Sequence, residues 1–288
     1  MNTKRFSVVV YVTILTLTLN TVAQTQPSDM RKVLEPGYVL GLPLTEFASQ
    51  SLEPTCRLLR NDQYDAAIKP LREYVAKNGN DLIAFVCLAQ VDAAFRQSEA
   101  RRLEQKKGAI QRDDSPEHNF KLGVVDFYNA KYIYFTRNNL EAASGLARSK
   151  QLLASAWQKN KSPVVGLVYV DAHQLPSPDL SLESKVLEQL IKELAGEQAF
   201  STYQIVKQNN WNGQPPTLSQ VSTKDLKPLR GVVALLQSLS SARFGRGVKH
   251  GNQYEFVYEP VSPDRQRMAQ YLTKWRVIID QALAQHQT

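Results

Sequence analysis

From Thr45 onward the apolar residues of this chain recur at three- and four-residue intervals, in blocks separated by short polar turns. Ala67, Leu71, Tyr74 and Val75 form one block, and Phe85, Leu88 and Ala89 belong to the next. Intervals of three and four put side chains on one face of an α-helix, whereas a strand needs alternation by two. The stretch RNDQYDAAIKPLREYVAKNGND, Arg60 to Asp81, has turn-forming residues at both ends of one stripe and reads as one helix of a pair. Such a helix is stable only when a neighbour covers its stripe, and short turns make the next helix that neighbour. The expected fold class is therefore all-α or mainly α.

The same positions carry a repeat pattern. A tetratricopeptide repeat is about 34 residues long, with W-x2-L-G-x2-Y on its first helix and A-x3-F followed by Pro on its second. Ala67, Leu71 and Gly79 fill second-helix positions, and Phe85, Leu88 and Ala89 fall at the aromatic, Leu and Gly places of the following first helix. Asp92 stands where that pattern has Tyr. Phe127, Ala130 and Tyr134 repeat the first-helix pattern with Lys131 in the Gly-like place, and Ala143 follows at second-helix spacing. Over residues 45–175 the chain thus resembles a tetratricopeptide-repeat protein with degenerate repeats, a plain helical bundle being the alternative. Ala67 and Ala143 are farther apart than two repeats of about 34 residues, so an insertion is expected, at QRDDSPEH from Gln111 to His118.

The resemblance implies a helix-pair solenoid in which the first helix of each pair lines a concave side. On that alignment Tyr128, Tyr132 and Phe135 face a groove, with Val86 and Gln90 of the preceding helix beside them. An aromatic, lightly polar groove suits an extended peptide or sugars that stack on rings. It either stays open or is filled by C-terminal helices.

The ends of the chain read differently. Lys4 and Arg5 precede an uncharged run from Phe6 to Leu19, and Thr21 and Ala23 precede Gln24, the layout of a secretory signal peptide. The run is shorter than the roughly 18 residues a membrane span needs. Residues 1–23 are expected to be removed near Ala23, leaving a secreted or periplasmic protein without a transmembrane helix. Residues 24–44 hold Pro27, Pro36, Gly37, Gly41 and Pro43, too many breakers for a helix. Pro176 and Pro178 mark a junction before residues 179–288, expected to be mainly helical with a short strand or hairpin near Tyr254 to Tyr258. Helices are expected from Leu182 to Ala195, from Ala199 to Gln208, from Asp225 to Ala242 and from Pro263 to about Gln285.

Catalytic motifs do not emerge. The four histidines, His118, His173, His250 and His286, stand at no metal-ligand spacing, so neither a metal nor a cofactor is expected. No nucleophile elbow, phosphate loop or dinucleotide fingerprint occurs. In RFGRGVKHGN, the cations Arg243, Arg246, Lys249 and His250 alternate with glycines, which makes a candidate anion site or a solvated connection. Cys56 and Cys87 are read either as a disulfide or as two buried thiols. The formal net charge of +8 favours anionic surfaces, such as a glycan-bearing or anionic cell envelope, without the aromatic and basic platform that nucleic acid requires. The expected function is a non-catalytic exported helical-repeat protein that binds a peptide, a protein or an envelope component. The alternative is an exported hydrolase, for example glycan-acting, with dispersed C-terminal carboxylates such as Asp225 and Glu255.

Overall fold

The computed structural model describes residues 44–45, 47–108, 115–136, 139–175, 180–241, 245–250, 253–258 and 260–285. The chain is mainly helical. A short 3-10 turn, Gln50–Leu52, leads into α1 (Glu53–Arg60), followed by α2 (Tyr64–Lys77), α3 (Leu82–Val91) and α4 (Ala93–Gly108). Then come α5 (Pro116–Thr136), α6 (Asn139–Lys159), α7 (Pro163–Ala172), α8 (Leu180–Gln208) and α9 (Thr223–Ser241). An antiparallel strand pair, β1 (Gly245–His250) and β2 (Gln253–Tyr258), precedes α10 (Pro263–Gln285). The expected signal peptide, its cleavage point and the extended segment up to residue 43 lie outside the described residues.

Local chemistry sets where these helices start and stop. Asp81 caps α3, its carboxylate accepting the N–H groups of Ile83 at 3.0 Å and Ala84 at 3.1 Å. One residue, Asp92, separates α3 from α4; its extended backbone (φ −118°, ψ 102°) breaks the helix, and its side chain caps α4 through the Phe95 N–H. Pro116 and Pro163 open α5 and α7, where a missing N–H costs no helical bond. Within α8, Gly196 adopts φ 82° and ψ 168°, conformations open chiefly to glycine, and so bends the element between the two helices expected there.

Successive helices pack on each other, and α3 also packs on α5, α5 on α7 and α7 on α9. This second set of contacts explains the composition of α3 and α7. Their sequences, LIAFVCLAQV and PVVGLVYVDA, are apolar on all sides, as helices covered on more than one face must be. In α3, Ala84, Cys87, Leu88 and Val91 face a cluster with Leu52, Leu59, Ala67 and Leu71 of the N-terminal elements. Phe85, Val86 and Ala89 face a larger cluster that continues through Phe127, Leu190 and Val233 to Ile279, across the junction at Pro176. The C-terminal end of that core is aromatic. The rings of Tyr203 and Trp275 lie 5.9 Å apart, and those of Trp211 and Tyr271 lie 5.7 Å apart.

The α5–α6 pair is antiparallel, since Asn119 meets Ser155, Asp126 meets Arg148 and Ala130 meets Gly145. A Cβ on Gly145 would lie 2.9 Å from Ala130 Cβ, so the small residues let the two backbones approach. That approach fixes which face of α6 is inside. Ala142, Leu146, Ser149, Leu153 and Ala156 are buried at intervals of three and four, while Ala143 is exposed. The repeat-like match at Ala143 is corrected accordingly, because the packed stripe runs one residue earlier.

Candidate functional site

The C-terminal half of α2, together with α3, α4 and the first turns of α5, encloses a cleft of about 670 Å³. That volume lies in the usual ligand-pocket range of roughly 300–1,000 Å³. Its apolar lining comes from Val75, Phe85, Leu88, Phe95 and Leu103. Phe85 and Phe95 meet edge to face, with centroids 5.3 Å apart and planes at 70°. Asp92 produces this meeting. By ending α3 and starting α4 in one residue, it turns the chain sharply enough for the two rings to converge.

Charged groups surround that lining as pairs. Arg72 of α2 donates through Nη2 to Asp92 Oδ1 at 2.9 Å and through Nε to the second oxygen. Burial pushes the Asp92 carboxyl up, but the bonds from Arg72 and from the Phe95 and Ala94 N–H groups outweigh it and hold the pKa below the ordinary value. Arg102 grips Glu99, one turn earlier in α4, with Nη2 at 2.6 Å and Nε at 3.0 Å. Lys121 Nζ donates to Gly79 O at 2.7 Å and to Glu117 at 2.6 Å, and stands 5.5 Å from the Phe85 ring centre. Ser115 accepts the His118 N–H at 3.2 Å, so the positive end of α5 borders the cleft.

A second polar cluster lies between α5 and α7. Asp171 is buried, and Lys131 Nζ lies 3.4 Å from its Oδ1. Burial raises the pKa of Asp171 against the opposing charge of Lys131. Tyr128 is buried beside them and its titration is pushed well up by burial and by the Asp171 charge. Arg96 is buried too, and is compensated by donating to Ala89 O at 2.7 Å, Gln90 O at 3.2 Å and Asn129 Oδ1 at 2.9 Å. These groups fix how α3, α4, α5 and α7 sit together.

Comparison with family models, with curated proteins and with solved structures returns no match to this chain. Its functional reading therefore rests on geometry.

The expected groove does not form from its proposed residues. Val86 is fully buried and Tyr128 is 5% exposed, because this side of α5 is covered by the stacked helices α3 and α7. Tyr132 and Gln90 are half-buried, and the Phe135 side chain lies outside the described residues. Cys56 and Cys87 are free thiols, both buried in the N-terminal cluster, and not a disulfide. The Cys87 thiol is pushed up, first by burial and then by the nearby Cys56.

The described part of the basic stretch, residues 245–250, is strand rather than loop. Arg246, Lys249 and His250 belong to β1, paired with Val257, Tyr254 and Gln253. Arg243 lies outside the described residues. Among the carboxylates raised for a hydrolase, Asp225 accepts a hydrogen bond from Ser222 Oγ in the first turn of α9, while nothing is described of the Glu255 side chain. Among the described residues no three His, Cys, Asp or Glu side chains are placed to hold a metal ion, and no helix is long and apolar enough to cross a membrane.

Proposed function

We propose that the chain is a non-catalytic helical binding module that takes a segment of a protein partner in the cleft between α2 and α5. The observation that carries this is the Phe85–Phe95 pair at the cleft base, rimmed by Arg72 and Arg102. An apolar base with a few convergent polar groups is how ligand pockets are generally built. A peptide fits better than a glycan. Sugars need open ring faces to stack on, and Phe85 is only 2% exposed, whereas a single apolar side chain can enter from above.

The contacts of α3 with α5, α5 with α7 and α7 with α9 support a solenoid-like, tetratricopeptide-repeat-like arrangement of helix pairs. The β1–β2 register supports the short C-terminal hairpin. Export rests on the sequence alone, through Lys4, Arg5 and the uncharged run to Leu19 ahead of Ala23.

Selection of displayed peptides on the full chain tests the reading. Enriched peptides should bind the parent, and Phe95→Ala combined with Arg102→Gln should abolish that binding with helical circular dichroism retained. Peptides that keep their affinity for the folded double variant would place the site elsewhere.

A further inference from the structure

Taking the cleft as the binding site, we infer that it selects an acidic peptide segment, one whose carboxylates flank an apolar anchor residue. The argument lies in which member of each ion pair faces water. The Arg72 side chain is 52% exposed and its partner Asp92 is 4% exposed. Arg102 is 47% exposed and Glu99 is 16% exposed. At the α2 and α4 rim the carboxylates are therefore tucked behind and the guanidinium groups turned outward. A rim of balanced formal charge thus presents a cationic outer surface. The third pair is reversed, with Lys121 10% exposed and Glu117 49% exposed, so the α5 lip is the acidic one. The cleft has a polarity, cationic on the α2 and α4 side and anionic at α5.

The arginines also keep donors in reserve. Asp92 engages Nε and Nη2 of Arg72, and Glu99 engages Nε and Nη2 of Arg102. A guanidinium carries five N–H donors, so Nη1 of each remains uncommitted among the described residues. An incoming carboxylate adds to both without displacing Asp92 from its cap on α4. The less buried apolar lining, Val75 and Phe95, receives a Leu- or Phe-like side chain. A carboxylate pairs its charge with Nη1 as well as accepting its hydrogen, and this sets the preference over neutral peptides.

Three fluorescein-labelled peptides, titrated against the full chain and read by fluorescence anisotropy, decide the matter. Each carries one central Leu, flanked by Asp and Glu, by Asn and Gln, or by Lys. The acidic peptide should bind about tenfold tighter than the amide version, because a carboxylate adds an opposite charge to the guanidinium bond where an amide oxygen does not. Added salt should narrow that gap. Arg102→Gln should bring the acidic peptide close to the amide peptide. Among the described residues Arg102 pairs within its own helix, so this variant should melt like the parent.

Equal binding of acidic and amide peptides overturns the acidic preference and leaves the cleft as a peptide site. Best binding by the Lys peptide overturns it by sign. Binding by none of the three, with selection also empty, removes the cleft reading itself and this inference with it.

Discussion

Arg72 and Asp92 are bound through two hydrogen bonds across twenty residues of chain, from the exposed side of α2 to the one residue between α3 and α4. Asp92 thereby caps α4 and ties α2 to the α3–α4 corner, the corner that brings Phe85 and Phe95 together. Asp92→Ala should cost roughly 1–2 kcal/mol, the usual range for a lost N-cap, in urea unfolding followed by circular dichroism. A variant as stable as the parent would show that the corner is held by apolar packing alone.

The pH dependence of that residue has a definite sign. Folding lowers the Asp92 pKa, so on acidification the unfolded chain takes up this proton first. The contribution is present above the ordinary carboxylate value of about 3.9 and is lost as pH falls through the depressed folded value. Asp171 behaves in reverse. Burial raises its pKa, the folded chain binds its proton first, and stability falls as pH rises from the ordinary carboxylate range through the raised folded value. Asp92→Asn should flatten the acid limb of the stability–pH curve, and Asp171→Asn should flatten the decline above it. Identical curves for both variants would contradict the two environments.

Tyr128 and Tyr132 separate core from surface. Tyr128→Ala should destabilise by roughly 3–5 kcal/mol, as large aromatic deletions from a core do. Tyr132 is half-buried, so Tyr132→Ala should cost clearly less. Equal and small costs measured by urea unfolding would return both rings to an open face.

Gly145 tests the α5–α6 contact. A leucine there meets Ala130 Cβ, which cannot rotate away, so Gly145→Leu should cost roughly 1–3 kcal/mol by overpacking despite a better helix propensity. An unchanged melting profile would mean that the helices separate freely.

The two thiols give a chemical readout. In the native protein at mildly alkaline pH, iodoacetamide should label neither Cys56 nor Cys87, since both are buried and Cys87 is pushed up. Two labels should appear in denaturant without reductant. Unlabelled denatured protein, detected by mass spectrometry, would mean that they are bonded after all.

Helices were legible in the sequence because their signals are local. Ala67 and Leu71 show the face of α2, and the gap between the helices expected to end at Ala195 and to begin at Ala199 brackets the bend at Gly196, whereas Pro116, assigned to an insertion, in fact opens α5. The tertiary face was less legible. Moving one residue from Ala143 to Ala142 turns a helix by about 100 degrees, and the Gly145–Ala130 approach that decides between them joins two helices. Tyr128 misled for a related reason, because an aromatic stripe looks alike whether a ligand or another helix covers it. The cleft was hidden altogether. Asp92 looked like a departure from a repeat pattern, and its role appears only when Arg72 arrives from an earlier helix.

The position of α3 between the two apolar clusters has a thermodynamic consequence. It is the partition they share, so α1 and α2 are joined to the remainder chiefly through one ten-residue helix. Such an end is the natural unit to open on its own, with amide protons of α1 and α2 exchanging faster than those of α5 and α6. The cleft spans that seam from α2 to α5. A ligand seated there bridges the loosely held end and the firmly held one, and occupancy would be recorded as slower exchange in α1, a helix it never touches.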